Sequence, residues 1–304
     1  MVSSVMLETL RGFVTEENIH LQEPMAAHTT FRVGGPADCL IEIENAEQLQ
    51  RVQSFLYQVD YPFYVIGNGS NLLVSDNGYQ GIILQIGKKM SDITVEGNII
   101  RLRSGASMAQ AAAAALKHGL TGLEFASGIP GTVGGGVVMN AGAYGGELSQ
   151  VVTEVQVLNK EGELLTLDNE TMEFGYRKST IRRQPFIVTE VTLALTAGRQ
   201  EDIRAKMEEL SAKRREKQPL EFPSAGSTFK RPEGHFAGEL IMNAGLRGFQ
   251  IGGARVSDKH CGFVVNAGNA LAADIMDVIR EAQIRVKERF GVELEPEVVF
   301  LGDF

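Results

Sequence analysis

Residues 128–146 read GIPGTVGGGVVMNAGAYGG; eight of these nineteen residues are glycine and none is Lys, Arg, Asp or Glu. A flexible linker mixes glycine with serine and other polar residues. Here the glycines are interleaved with Ile129, Val133, Val137, Val138 and Met139, which require a core. Glycines let successive N–H groups point one way, as an anion nest or as the open start of a helix, and so hold a pyrophosphate without fixed positive charge. The stretch predicts a rigid cradle for a large cofactor, with a tight Gly-rich packing turn as the plainer alternative.

Working upstream, Ser107 and Gln110 form a capping box for the Ala-rich helix MAQAAAAALKHG, which stops at Gly119. Strands are predicted at 81–86, 93–96 and 99–103. The segment PFYVIGNGSNLLVSD reads as strand, Gly-rich turn, strand, and its turn Gly67-Asn68-Gly69-Ser70-Asn71 can bind phosphate or merely reverse the chain. A helix over 46–58 buries Leu49, Val52, Phe55, Leu56 and Val59. Before it, TTFRVGGPADCLIEI predicts a strand, a Gly-Gly turn and a second strand, preceded by a short helix and an entry loop over residues 1–25.

Downstream, strands are expected at 151–158, 163–167 and 186–196, with the loop GYRKSTIRRQ before the last. A helix over 200–217 is acidic at its start and basic at its end, as the helix dipole favours. A boundary follows near Pro219–Pro223. Two short strands (254–256, 263–265) then precede a long helix from an Asn269 cap to Gly291, with Leu271, Ile275, Val278, Ile279, Ala282, Val286 and Phe290 on its apolar side. VELEPEVVFL ends the chain as a strand. The class is α+β. Gly67 and Gly69 are followed by Leu72 where a G-x-G-x-x-G fingerprint needs glycine, which disfavours a Rossmann cofactor fold.

Bulk properties narrow the function. The chain has 304 residues, 43% apolar and 22% charged, which predicts a soluble globular protein of more than one domain. No apolar run approaches the ~18 residues of a membrane span. The N-terminus lacks a basic region followed by an apolar core, so no secretory signal is read and a cytosolic location is expected. A net charge of −9 argues against a nucleic-acid surface but leaves an anionic small molecule open, since a local Arg/Lys cluster can oppose the global sign. Cys39 alternates with apolar neighbours as a core residue, and Cys261 beside His260 offers neither a metal spacing nor a convincing nucleophile pair. No metal site is expected.

Five ordered pieces carry a resemblance: GNGSN at 67–71, SGIPGTVGGGVVMNAGAYGGE at 127–147, YRKS at 176–179, SAGSTFKRP at 224–232 and LEPEV at 294–298. Together they resemble the UDP-N-acetylenolpyruvoylglucosamine reductase (UDP-N-acetylmuramate dehydrogenase) family, in its shorter subclass without the inserted tyrosine loop. That resemblance implies a PCMH-type fold like vanillyl-alcohol oxidase, in which two α+β subdomains hold a non-covalent FAD beside a C-terminal α+β substrate domain. On this reading residues 1–80, joined by the C-terminal strand near 292–304, form the first subdomain, 81–218 the second and 219–291 the substrate domain, with a PCMH-type region over roughly 31–197.

The resemblance further implies that NADPH reduces the flavin, and that the enolpyruvyl ether of the sugar nucleotide is then reduced to a lactyl ether in peptidoglycan precursor synthesis. The flavin cradle would comprise Gly67, Asn68, Gly69, Ser70, Asn71, Gly128, Gly131, Thr132, Gly134, Gly135, Asn140 and Gly142. The catalytic trio would be Arg177, Ser227 and Glu297. Tyr176, Arg214, Lys217 and Lys230 are the expected substrate contacts, and His28 as a covalent flavin anchor lacks a supporting motif. Taken singly, Arg177 reads as a solvated loop charge, Ser227 as a turn hydroxyl and Glu297 as a strand-edge acid; their joint occurrence in ordered motifs is what favours catalysis. Two alternatives stay open: an FAD-dependent sugar or alcohol oxidase of the same fold, and a non-catalytic flavin-binding module. The partners expected are small molecules, with no nucleic acid or membrane, and the state a monomer or weak oligomer.

Overall fold

Apolar residues at helical spacing, stopped by polar caps, account for most of the helices in the computed structural model, which describes residues 2–304. Helix α1 (Ser4–Arg11) starts where Ser3 Oγ accepts the Met6 N–H, and α2 (Ala46–Gln58) where Asn45 accepts the Gln48 N–H. Helix α3 (Met108–Lys117) carries the full capping box of Ser107 and Gln110. Helix α4 (Val133–Val138) lies inside the Gly-rich stretch with Thr132 as its cap. Helix α5 is Gln200–Lys217, α6 is Ala237–Asn243 and α7 is Ala272–Phe290, ended by Gly291 in the left-handed region.

The chain divides into two units. The first comprises the chain up to His20, Cys39–Asn68 and Gly81–Arg214; the second comprises Leu21–Asp38, Gly69–Gln80 and Arg215–Phe304. Residues 1–80 are therefore shared between them.

In the first unit an antiparallel five-stranded sheet runs in the order Leu164–Asp168, Val152–Leu158, Ile187–Ala194, Ile99–Arg103, Ile93–Glu96. Its register pairs Val155 with both Leu167 and Val191, and Val191 with Leu102. Val155, Val157, Val191, Leu193, Ile100 and Leu102 are buried on the face that meets α3 and α4. Each such side chain contributes roughly 1.5–3 kcal/mol by leaving water. A second core in the same unit gathers Leu10, Cys39, Ile41, Leu49, Val52 and Leu56 around the parallel pair Phe63–Ile66 and 82–85.

In the second unit, α7 packs Ile275, Val278, Ile279, Ala282 and Val286 with Phe31, Phe229 and Leu294. A three-stranded sheet (Gln250–Ile251, Ala254–Val256, Val264–Asn266) lies in the same core, and Val299–Leu301 runs parallel to Leu72–Val74.

Three local expectations are corrected. Residues 29–33 are not a strand, because Thr29 Oγ1 donates to the Val33 carbonyl and Arg32 sits at φ +57°, curling the segment; the strand lies earlier, at Ile19–Pro24. Asn269 does not cap α7. Its amides are taken by carboxylates instead: Asp274 accepts from Leu271 N–H, and Asp76 accepts from Ala272 and Ala273 at 2.8 and 2.9 Å. Leu271 and Phe290, at the two ends of the predicted apolar face, are exposed.

Asp76→Ala removes the acceptor of two α7 amides and is expected to cost about 1 kcal/mol, read as a lower midpoint in thermal unfolding with the fold retained. An unchanged midpoint would show that water serves those amides equally well.

Candidate functional site

Within the first unit the two glycine motifs meet. A Cβ placed on Gly67 would fall on Thr132 Oγ1, so the Gly67–Asn68 turn lies directly against the cap of α4. Thr132 is buried, and its hydroxyl accepts the Gly135 N–H at 3.3 Å. The helix start is less open than its glycines suggest. Val133 N–H donates to Ala106 O at 2.7 Å and Gly134 N–H to Ser104 O at 2.9 Å. The expected row of open helix-start amides is therefore corrected: Gly134 serves close packing on Ser104 and Thr132 is enclosed, while Asn68 and Gly135 are exposed and Gly67 and Gly131 half-buried.

Gly128 is exposed and lies under the guanidinium of Arg214, whose Nη1 would be 2.9 Å from a Cβ there. Burial lowers the Arg214 pKa, opposed by its hydrogen bond to Tyr144. The Arg214 Nε is buried without a hydrogen-bond partner. Gly142 lies in a small hairpin, Gly142–Ala143 with Gly146–Glu147, at whose tip Tyr144 stands exposed at φ +55°. Tyr144 was not singled out in the sequence; an aromatic at a glycine-bounded tip was the available signal. A glycine-rich surface without acidic side chains, with an orphaned guanidinium N–H close to the same stretch, fits the pyrophosphate of a dinucleotide.

Arg177 stands at the tip of a tight turn. Gly175 and Lys178 exchange reciprocal backbone hydrogen bonds of 3.0 and 3.1 Å, leaving Tyr176 and Arg177 between them. Arg177 has φ +54°, a conformation favoured for glycine or asparagine at that turn position. Its guanidinium lies 5.0 Å from the centroid of the exposed Tyr176 ring. Asn140, expected at the cofactor, is instead fully buried: its Nδ2 donates to Gly175 O at 3.1 Å and its Oδ1 accepts from Ser149 N–H at 2.9 Å. A side chain so enclosed presents nothing to a ligand, which corrects that expectation.

In the second unit, residues 228–230 run extended between two other segments. Thr228 N–H donates to Gly262 O and Thr228 Oγ1 accepts the Val264 N–H, while Thr228 O accepts the Glu297 N–H at 2.8 Å and Lys230 N–H donates to Glu295 O at 2.9 Å. The exposed Ser227 thus heads a strand-like stretch bonded to the main chain of Glu297. Asn71, expected at the cofactor, donates from Nδ2 to Glu297 O at 3.0 Å and accepts the Val299 N–H at its own carbonyl. Its side-chain N–H₂ therefore serves the main chain of Glu297. A Cβ on Gly69 would fall on His28 O, and Ser70 is half-buried. Lys230 pairs with Glu295, and exposed Lys217 lies near His260.

The remaining candidates are quiet. His28 Nε2 is 2.8 Å from Glu23 Oε1, so the ring is engaged within the protein. Burial raises the Cys261 thiol pKa and lowers that of His260, leaving both neutral rather than a thiolate–imidazolium pair. Among the described residues no group of three or more His, Cys, Asp or Glu is placed to hold a metal, and no helix is long and apolar enough to cross a membrane.

Residues 37–168 match the family model "FAD binding domain", and residues 218–301 match "UDP-N-acetylenolpyruvoylglucosamine reductase, C-terminal domain". A UDP-N-acetylenolpyruvoylglucosamine reductase of Caldanaerobacter subterraneus subsp. tengcongensis is 47% identical over 99% of this chain and 100% of its own. One from Clostridium botulinum (strain Eklund 17B) is 50% identical over 92% of this chain and 91% of its own. The crystal structure of the Thermus caldophilus enzyme of that name superposes with TM-score 0.80 at 36% identity, covering 93% of this chain and 98% of that one. A structure of alkyldihydroxyacetonephosphate synthase, at 13% identity and TM-score 0.51, shares the fold over 65% of this chain.

Gly67→Ala forces a methyl group onto Thr132 Oγ1. The variant is expected to unfold at lower temperature and to release FAD more readily, measured by recovery of free-flavin fluorescence; wild-type retention would mean that the turn can shift away from α4 without consequence.

Proposed function

The chain belongs to the UDP-N-acetylenolpyruvoylglucosamine reductase family, and from that premise we infer how its own residues carry the reaction. It is an FAD-containing oxidoreductase that reduces UDP-N-acetylenolpyruvoylglucosamine in peptidoglycan precursor synthesis. NADPH is the electron donor we assign, and the cytoplasm the site of action. The acidic balance of −9 supports small-molecule partners over nucleic acid.

The observation that carries the assignment of roles is Arg177 at φ +54° on a two-residue tip. A non-glycine residue held in that region costs of order 1–3 kcal/mol and persists where the surroundings over-determine it, a pattern that clusters at active sites. Bound FAD supplies two-electron transfer between the nicotinamide and the enolpyruvyl double bond.

Arg177 holds the substrate carboxylate. An enolpyruvyl ether is electron-rich and becomes an acceptor only through conjugation to that carboxylate, so charge flows into it as the terminal carbon is reduced. A planar guanidinium grips both oxygens and favours the enediolate, which a lysine's point charge does less well. Ser227 then gives a proton to the neighbouring carbon and recovers one from water. Its exposure next to a segment bonded on both sides supports that role: Ser227 is exposed while the backbone of the adjacent Thr228 is fixed. Glu297, close by along the same pairing, stays protonated or is neutralised by an arginine so that it does not repel the anionic substrate.

Gly67, Asn68, Gly131, Thr132 and Gly135 are the residues we assign to the FAD pyrophosphate, with Gly69 and Ser70 completing the turn and Gly128 and Gly142 lining the rest of the cradle. Arg214, Lys217, Lys230 and Tyr176 are assigned to the sugar nucleotide. Lys230 comes already paired with Glu295, so its contribution depends on exchanging that partner for a phosphate.

Ser227→Ala is expected to leave flavin reduction by NADPH near wild type while slowing anaerobic reoxidation by the enolpyruvyl substrate roughly 10²–10⁴-fold, both followed by flavin absorbance in stopped flow. Equal losses in the two half-reactions would make Ser227 structural.

A further inference from the structure

We propose that Asn140 and Ser179 are positioning residues for Arg177, tying its turn to the far end of the helix that borders the flavin cradle. The inference rests on the role assigned to Arg177 above. Helix α4 spans only six residues. At its N-terminal end Thr132 lies against Gly67. At its C-terminal end two bonds reach the arginine turn, one on each side of the tip. Asn140 Nδ2 donates to Gly175 O at 3.1 Å, and Ser179 Oγ donates to Val138 O at 2.8 Å.

Both side chains are fully buried, and Asn140 has φ +44°. The amide of Asn140 is used at both ends, since Oδ1 also accepts the Ser149 N–H. Its αL backbone turns the side chain out of the helix terminus; asparagine tolerates that region better than most residues. Aspartate could not replace it: a carboxylate has no N–H for Gly175 O and would set negative charge against that carbonyl. Between the two anchors, the reciprocal Gly175–Lys178 bonds close the turn that carries Tyr176 and Arg177. The two contacts fasten both sides of the Arg177 turn to the C-terminal end of α4, and Arg182 Nη1 adds a bond to the Arg177 carbonyl from within the loop. A displacement of about 1 Å at a group that acts on the reacting centre costs on the order of 10² in rate.

The test is a double-mutant cycle on the holoenzyme with Asn140→Ala, Arg177→Ala and the pair, and a parallel cycle with Ser179→Ala in case Asn140→Ala does not fold. Flavin-fluorescence quenching should show the apo forms of the single variants binding FAD with wild-type affinity, and NADPH should reduce them at the wild-type rate. Reoxidation by the enolpyruvyl substrate should fall by about 10² in Asn140→Ala, less in Ser179→Ala, and return with Ser179→Thr. In the Arg177→Ala background either substitution should change reoxidation by less than a factor of about 2. Losses that add fully in that background, or weakened FAD binding that accounts for the whole effect, would overturn the proposal. Wild-type reoxidation in Arg177→Ala would instead sink the parent role of the arginine, and this inference with it.

Discussion

Helix α4 can lie where it does only because side-chain atoms are missing from it. A Cβ on Gly134 would stand 2.7 Å from Ser104 Cβ, and one on Gly136 3.0 Å from both Leu148 Cδ1 and Met108 Sδ. Glycine is a poor helix former by roughly 1 kcal/mol per residue relative to alanine, and three in succession make an isolated helix of this length untenable. What offsets the deficit is tertiary. Val133 and Val137 are buried in the first-unit core, Thr132 caps the start, and the first two helical amides find carbonyls at Ala106 and Ser104. The helix is thus an outcome of packing rather than of local preference, and whatever it touches inherits its position.

That origin explains what the amino-acid sequence made legible and what it concealed. Helices α2 and α3 were readable from apolar spacing and, in α3, its capping box, and α5 from the acidic start and basic end that suit the helix dipole. Helix α4 was legible only as a glycine cradle, since its stabilising contacts come from residues 104–106 and 148, none of which a local window contains. Residues 29–33 misled for a related reason: β-branched composition suggested a strand, but the Thr29 hydroxyl competes for the backbone and folds the segment on itself. Asn140 illustrates the limit for the site. A polar residue among glycines can face a ligand or a distant carbonyl, and the carbonyl it serves lies 35 residues away. The nearness of Ser227 to Glu297 was likewise invisible to spacing. It arises from the Thr228–Glu297 main-chain bond, and only the ordered motifs pointed to the pair.

The charges around Arg177 bear on why one arginine among several is distinctive. Arg183 is paired with Glu173, whose pKa that partner lowers, and Arg182 donates from Nη1 to the Arg177 carbonyl at 3.1 Å. Exposed pairs of this kind add little to stability. Their consequence is geometric: Arg183 has a partner on its own loop, and Arg182 bonds the main chain of the turn rather than reaching past it. Neither shares the placement of Arg177, since neither stands on the left-handed tip between Gly175 and Lys178. A cluster that reads in the sequence as four interchangeable cations therefore resolves into one guanidinium presented at the tip and neighbours that brace its loop. The same division holds for the asparagines: Asn140 and Asn71, which composition alone would assign to a ligand, use their amides on the main chain beside Arg177 and at Glu297. Polar residues that composition would assign to ligands here hold backbone in place, and the placement of Arg177 and Glu297 follows from that backbone.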